Sequence, residues 1–389
     1  MYEPFPGNYV WNLSVNICLN MGGVMGEIDP ANDVVRAVAN ENADEGTEAF
    51  FAAWGSLADR IRELAEVDEA AGHRLSAAEK YARAAAYYIT AERMQARDYT
   101  PRKAMYRTML ETMEAFYQTS PLRAERVGFA YEGARLTATF IPGVGPSDGP
   151  SPRPCMVFCN GLDSTKEMVT LALRDRFAKR GISTLIIDQP GTGEALRLNG
   201  LHAVYDTERW ASAAFDYLAA REDVDAQRIG MMGWSMGGYY APRALAYEPR
   251  FAIGAVWGGN HDWGGHQKNR LRREGDMPVP HYWDHVMWVW DQPDMDSFMA
   301  LMDKVNLDGH LQRIKVPFLV THGGNDRQIP VRYAEQSYEQ AINSPDRELK
   351  IFTEREGGIE HCGADNMEPV MSYIGDWLAD RFAGMEFPS

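Results

Sequence analysis

From about residue 123 onward, short apolar runs alternate with longer amphipathic stretches. The runs are Cys155–Cys159, Ser183–Asp188, Arg228–Met232, Ala252–Trp257, Phe318–Thr321 and Glu348–Phe352. All are short, and all but Glu348–Phe352 have an apolar centre without period-two alternation. That is the pattern of a strand buried on both faces. The stretches Lys166–Arg180, Thr207–Arg221, Met236–Tyr247, Val331–Ile342 and Asn366–Phe382 predict helices between them. Strand–helix alternation of this kind predicts an α/β architecture with a doubly wound, mostly parallel sheet. Val127–Ile141 predicts a strand pair turning at Glu132-Gly133, which would form an antiparallel edge. Pro142–Pro154, rich in Gly, Pro and Ser, predicts a surface loop.

The first part of the chain has a different texture. Ala78, Tyr81, Ala82, Ala85, Tyr88 and Ile89 make a helical stripe within Leu75–Met94. Ser76 followed by Glu79 predicts a capping box at its start. Thr100-Pro101 opens a further helix to about Tyr117. The Ala/Tyr texture has no repeat at the tetratricopeptide period, so a stacked repeat module is not expected. Residues 1–122 therefore form an expected N-terminal helical domain, with Ser120-Pro121 as the boundary. Residues 123–389 form the expected α/β domain. Its alternation is interrupted at 258–313, which contains Trp263, Trp283, Trp288, Trp290, His261, His266, His281 and His285. So aromatic an insertion between two strands predicts a helical lid over a pocket, or a small packing layer.

Composition narrows the partners. The formal net charge of −16 opposes binding to phosphate backbones and to anionic membranes. No nucleic-acid or membrane partner is expected. The N-terminal residues lack a basic run and a small-residue cleavage site, and Val10–Met25 carries Asn12, Asn16 and Asn20 and is too short to span. Cys18, Cys155, Cys159 and Cys362 have no metal-ligand spacing, and Cys155 and Cys159 read as small core residues on one side of a strand. A cytoplasmic location is expected. No cofactor and no metal is expected, because the histidines of the insertion lack carboxylates at ligand spacing.

The chemistry centres on Gly233-Trp234-Ser235-Met236-Gly237-Gly238. An apolar strand precedes this Gly-x-Ser-x-Gly and a helix follows it. A nucleophile elbow needs that context, because the sharp turn pushes the serine hydroxyl out of the sheet edge. The following helix N-terminus favours developing negative charge. A serine hydroxyl needs a base, and the base needs an orienting carboxylate. In chain order the acid should follow a late strand, and Asp326 does so after Phe318–Thr321 and a Gly-Gly turn. The base should follow the last strand, and His361 is the histidine placed there. His322 reads as a structural histidine. The expected oxyanion donors are the N–H groups of Met236 and Leu162, with Gly161 permitting close approach. Asp163 lies beside them. It is either a proton donor with a raised pKa or a cap for the Lys166 helix. Gly161, Trp234, Trp257, His261 and Trp263 are the expected substrate-contact residues. Asp188-Gln-Pro-Gly-Thr-Gly-Glu194 lacks the dinucleotide fingerprint spacing and reads as a structural turn rimming the site.

Gly161-Leu-Asp-Ser-Thr-Lys-Glu167, Asp188–Glu194, Gly233–Gly238, Gly324-Asn-Asp326 and Glu360-His361-Cys362 together resemble the α/β-hydrolases with an N-terminal helical domain. That group includes 2,6-dihydroxypseudooxynicotine hydrolase and fungal heptaketide pigment hydrolases. The resemblance implies nucleophile Ser235, acid Asp326 and base His361, an assisting acid at Asp163, and a homodimer. It implies hydrolysis of a carbon–carbon bond in a ketone or β-diketone beside an aromatic or polyketide-like group of a small molecule. The same triad equally serves a carboxylesterase, or an acyltransferase or cyclase. A non-catalytic binding protein on the same fold is the third alternative.

Overall fold

The computed structural model describes residues 1–40, 42–145, 152–271 and 277–385. The middle of the expected 142–154 loop and part of the 258–313 insertion lie outside the described residues. The helices are α1 (Tyr9–Asn20), α2 (Met25–Val35), α3 (Thr47–Ala70), α4 (Arg74–Arg93), α5 (Thr100–Thr119), α6 (Lys166–Leu173), α7 (Gly193–Arg197), α8 (Glu208–Ala219), α9 (Gly237–Tyr247), α10 (Trp263–Leu271), α11 (Tyr282–Val289), α12 (Met295–Met302), α13 (Val331–Gln340) and α14 (Glu368–Gly384). The strands are β1 (Glu125–Tyr131), β2 (Ala134–Ile141), β3 (Arg153–Cys159), β4 (Ser183–Ile187), β5 (Val224–Trp234), β6 (Gly254–Trp257), β7 (Phe318–Gly323) and β8 (Arg347–Phe352). Two compact units result. One holds Met1–Arg123, Glu167–Ala172 and Asp276–Trp288; the other holds Ala124–Lys166, Leu173–Gly275 and Val289–Ser389.

In the first unit α3 packs along α4, and α4 along α5. Phe50, Trp54 and Trp11 form its aromatic centre, with Phe50 stacked on Trp54 at 5.0 Å. The asparagines of α1 are not exposed polar breaks. Asn12 exchanges two hydrogen bonds with the Phe5 backbone, and Asn16 does the same with Tyr2. Their amides thereby satisfy a non-helical backbone that would otherwise be buried unpaired. The capping box does not form. Helix α4 begins at Arg74 with His73 as its N-cap, so Ser76 lies inside the first turn.

The second unit is built on one eight-stranded sheet in the order β1-β2-β4-β3-β5-β6-β7-β8. Strands β1 and β2 are antiparallel, and β3 to β8 run parallel. This is the mostly parallel α/β-hydrolase sheet with an antiparallel edge. Strands β4, β6 and β7 are buried along their whole length, whereas the edge strand β8 is mostly half-buried. Continuous apolar runs sit where helices cover both faces, as their sequences require. The helix expected over 166–180 stops at Leu173. Arg174 adopts φ 48°, and a short turn of 3₁₀-helix resumes at Ala178. No helix among the described residues is long and apolar enough to cross a membrane.

Candidate active site

Strand β5 ends at Trp234, and Ser235 turns the chain into α9 with φ 56°. Positive φ on a non-glycine residue stores about 1–2 kcal/mol of strain, which the surrounding bonds must offset. Here Ser235 N–H donates to the Trp257 carbonyl at 2.9 Å, and Gly238 N–H donates to the Ser235 carbonyl at 2.8 Å. A Cβ on Gly238 would lie 2.0 Å from the Gly258 oxygen, so the elbow closes only with glycine there.

The strand order brings the three far-apart residues together. Ser235 follows β5, Asp326 follows β7, and His361 follows β8. Ser235 Oγ is 2.9 Å from His361 Nε2. His361 Nδ1 lies 2.9 and 3.1 Å from the two oxygens of Asp326. Asp326 Oδ1 also accepts the N–H groups of Gln328 at 2.7 Å and Ile329 at 2.9 Å, which fixes the carboxylate. Burial raises the Asp326 pKa, but the His361 charge, its hydrogen bond and His322 outweigh burial and hold it below the usual range. Burial likewise opposes charge on His361, and the facing Asp326 carboxylate overcomes it and lifts the imidazole above its ordinary value. His322 Nε2 is 2.9 Å from the Ile329 carbonyl, in the structural role its strand-end position suggests.

The loop after β3 lies against the elbow. A Cβ on Gly161 would be 3.0 Å from Ser235 Cβ and 3.4 Å from its Oγ. The N–H groups of Leu162 and Met236 find no acceptor among the described residues. Asp163 is half-buried. The Lys166 N–H donates to Asp188 Oδ1 at 2.7 Å.

The expected substrate contacts divide. Trp257 is buried, and its indole N–H has no partner among the described residues. Trp234 is instead packed edge-on to Phe158 and Trp257, and its N–H donates to Ser164 Oγ at 3.0 Å. His261 is fully buried, with one ring nitrogen 3.1 Å from Ser337 Oγ and the other 3.0 Å from Asp308 Oδ1. Both nitrogens are occupied, so His261 is corrected from substrate contact to structural bridge. Trp263 stacks on Trp290 at 5.7 Å and meets Phe298 edge-on, in a packing layer within the insertion. Trp234 and Trp263 both pack against other aromatic rings. Sequence reasoning passed over Lys166 and Asn160. Their signal was the polar Asn160–Glu167 segment and the two carboxylates of Asp188–Glu194, too many polar groups for two buried turns unless they pair.

A model of the prolyl oligopeptidase family matches residues 174–382, and a model of the FrsA-like esterases matches residues 56–258. Each spans just over half of the chain. The chain belongs to the α/β-hydrolases that these two models describe. The hydrolase is 28% identical over 350 residues to the 2,6-dihydropseudooxynicotine hydrolase of Paenarthrobacter nicotinovorans, which covers 85% of this chain and 84% of that one. It is 24% identical over 377 residues to the 20-hydroxy-prefusarin hydrolase of Gibberella moniliformis, covering 87% and 89%. Among solved structures it is similar in fold to 2,6-dihydroxy-pseudo-oxynicotine hydrolase, with a TM-score of 0.77, 24% identity, and coverage of 94% of this chain and 95% of the other.

Proposed function

We propose that the hydrolase cleaves a carbon–carbon bond next to a carbonyl in a small aromatic or polyketide-like ketone or β-diketone. The Ser235–His361–Asp326 hydrogen-bond chain carries the reading. Kinship with enzymes named as hydrolases of 2,6-dihydropseudooxynicotine and 20-hydroxy-prefusarin supports a small organic substrate. Ser235 Oγ attacks the carbonyl carbon and passes its proton to His361 Nε2. The oxyanion forms against the N–H groups of Leu162 and Met236. The C–C bond then breaks, its electron pair leaves with the carbon fragment, and that carbon takes the proton from His361 or through Asp163. Water, deprotonated by His361, attacks the acyl-serine and releases the acid. Trp257 lines the substrate side of the elbow. The reading makes residues 1–122 a helical domain, 123–389 the catalytic domain and the 258–313 insertion a lid.

The test uses aryl β-diketones and aryl esters in deuterated water, with product mass spectrometry. The expected products are a carboxylic acid and a ketone carrying one solvent deuteron. Cleavage of esters alone would replace this reading with that of an esterase, the class the FrsA-like match favours. Ser235→Ala should abolish turnover in a folded protein, and wild-type turnover in that variant overturns the nucleophile assignment. The four cysteines are free and buried, which fits action in the cytoplasm. A homodimer in light scattering is the assembly expected.

A further inference from the structure

The turn Asp188–Glu194 holds a buried ion cluster. Asp188 Oδ1 accepts from the Lys166 N–H at 2.7 Å and from Asn160 Nδ2 at 3.2 Å. Its Oδ2 accepts from Lys166 Nζ at 3.0 Å and from the Glu194 N–H at 2.9 Å. Lys166 Nζ also reaches Glu194 Oε1 at 2.5 Å, and Glu194 Oε2 accepts from Arg126 at 2.7 Å. Lys166 Nζ therefore bridges the two carboxylates, and Arg126 pairs the outer oxygen of Glu194. The Lys166 and Asp188 side chains are at most 1% exposed. Burial raises the Glu194 pKa, but Lys166 and Arg126 outweigh it and hold the carboxyl below its ordinary range. Gly193 has φ 44°, and a Cβ there would lie 2.0 Å from Asp188 Cγ, so the turn wraps the carboxylate only with glycine.

The cluster grips both ends of the loop that carries Leu162. At the far end Asp188 binds the Lys166 N–H. At the near end it binds the Asn160 side chain. Asn160 in turn exchanges N–H and C=O bonds with the Gln189 side chain, both at 3.0 Å. Asn160 Oδ1 accepts from Ser164 Oγ at 3.0 Å, and Ser164 Oγ accepts the Gly161 N–H at 2.8 Å and the Trp234 indole N–H at 3.0 Å. Every bond in this relay ends on the loop or on the residue before Ser235. A buried ion pair is weak evidence for net stability, because desolvation offsets its attraction. It is stronger evidence for fixed geometry, because no member can move without leaving a buried charge unpaired.

We propose that Lys166, Asp188 and Glu194 are positioning residues that hold the Asn160–Thr165 loop, and with it the Leu162 N–H, where the oxyanion develops. The proposal rests on the reading of Leu162 and Met236 as oxyanion donors. None of the three touches the reacting atoms.

The test compares phosphonylation rates with a fluorophosphonate and with its P=S counterpart. Oxygen accepts the oxyanion-site hydrogen bonds and sulfur accepts them weakly, so the P=O to P=S rate ratio reads that site separately from the nucleophile. In Asp188→Asn the P=O rate should fall about 100-fold, the loss typical of one oxyanion donor. The P=S rate should fall far less, so the ratio drops at least about tenfold. Glu194→Gln should move the ratio the same way by several-fold, and it decides the matter if Asp188→Asn does not fold. An unchanged ratio in a folded variant whose Ser235 is still labelled overturns the proposal. Ser235→Ala stands apart: labelling at the wild-type rate in that variant sinks the nucleophile reading instead.

Discussion

Gly161→Ala separates site geometry from fold. The added Cβ would sit 3.0 Å from Ser235 Cβ, 3.4 Å from Ser235 Oγ and 3.4 Å from the Trp234 oxygen. Carbon pairs prefer about 3.5–4.0 Å, so the shortfall is roughly 0.5 Å. Ser235 has nowhere to retreat. Its N–H and C=O are both bonded, and the elbow behind it is closed by Gly238 against Gly258. The strain must therefore move the loop or rotate Oγ, and either lengthens a distance that the reaction needs short. A displacement of about 1 Å costs about 100-fold in rate, so half of that predicts roughly tenfold, or about 1.4 kcal/mol of transition-state stabilisation. The fold should lose up to about 2.6 kcal/mol and stay folded. Replacing glycine restricts the unfolded chain and returns about 0.4–1 kcal/mol, against about 1–3 kcal/mol for overpacking. The assay is the second-order rate of fluorophosphonate labelling, read beside the melting temperature. Labelling within twofold of wild type in the alanine variant would refute the reasoning, because the loop would then be distant from Oγ or free to give way.

Three further outcomes follow from the same geometry. A base acts only when unprotonated, and Asp326 raises the His361 pKa, so kcat/KM should rise with pH through a midpoint above the ordinary imidazole value of about 6.5. Asp326→Asn should lose about 10⁴-fold in kcat and move the residual midpoint downward, and a midpoint that stays put in a pH–rate profile counts against the pairing. His261→Gln should lower stability by about 1–3 kcal/mol in denaturant titration, by disturbing one buried and one part-buried hydrogen bond, while Ser235 labelling stays within threefold of wild type. Selective loss of turnover in that variant would return His261 to the substrate.

The parts legible in the sequence were those fixed by local pattern. Apolar runs such as Cys155–Cys159 are long enough to demand burial on both faces, and that demand alone implies a parallel sheet. The pairing of Ser235 with Asp326 and His361 followed from chain order, because the sheet sets those three loops side by side. Less legible were features set by residues far away in sequence. Composition showed that Trp263 and His261 would be sheltered, but not whether by ligand or by protein. His261 owes its two partners to Asp308 and Ser337, which no local pattern connects to it. The break after Leu173 lies in a run with good helical propensity and was missed for that reason. Asp188 looked like a turn residue because its lysine partner stands on another element, and only the parallel pairing of β3 with β4 brings the two loops together.

The base hangs from an edge strand. Strand β8 has a neighbour on one side only and is mostly half-buried, while β5 lies deep in the sheet. Edge elements open at lower free energy than the centre of a fold. A molecule whose last strand has swung away keeps a well-formed serine elbow but has no imidazole to activate it. The same asymmetry applies to a chain leaving the ribosome. With β1 to β7 already paired, it carries an inert hydroxyl, and it becomes reactive only when β8 docks and delivers His361.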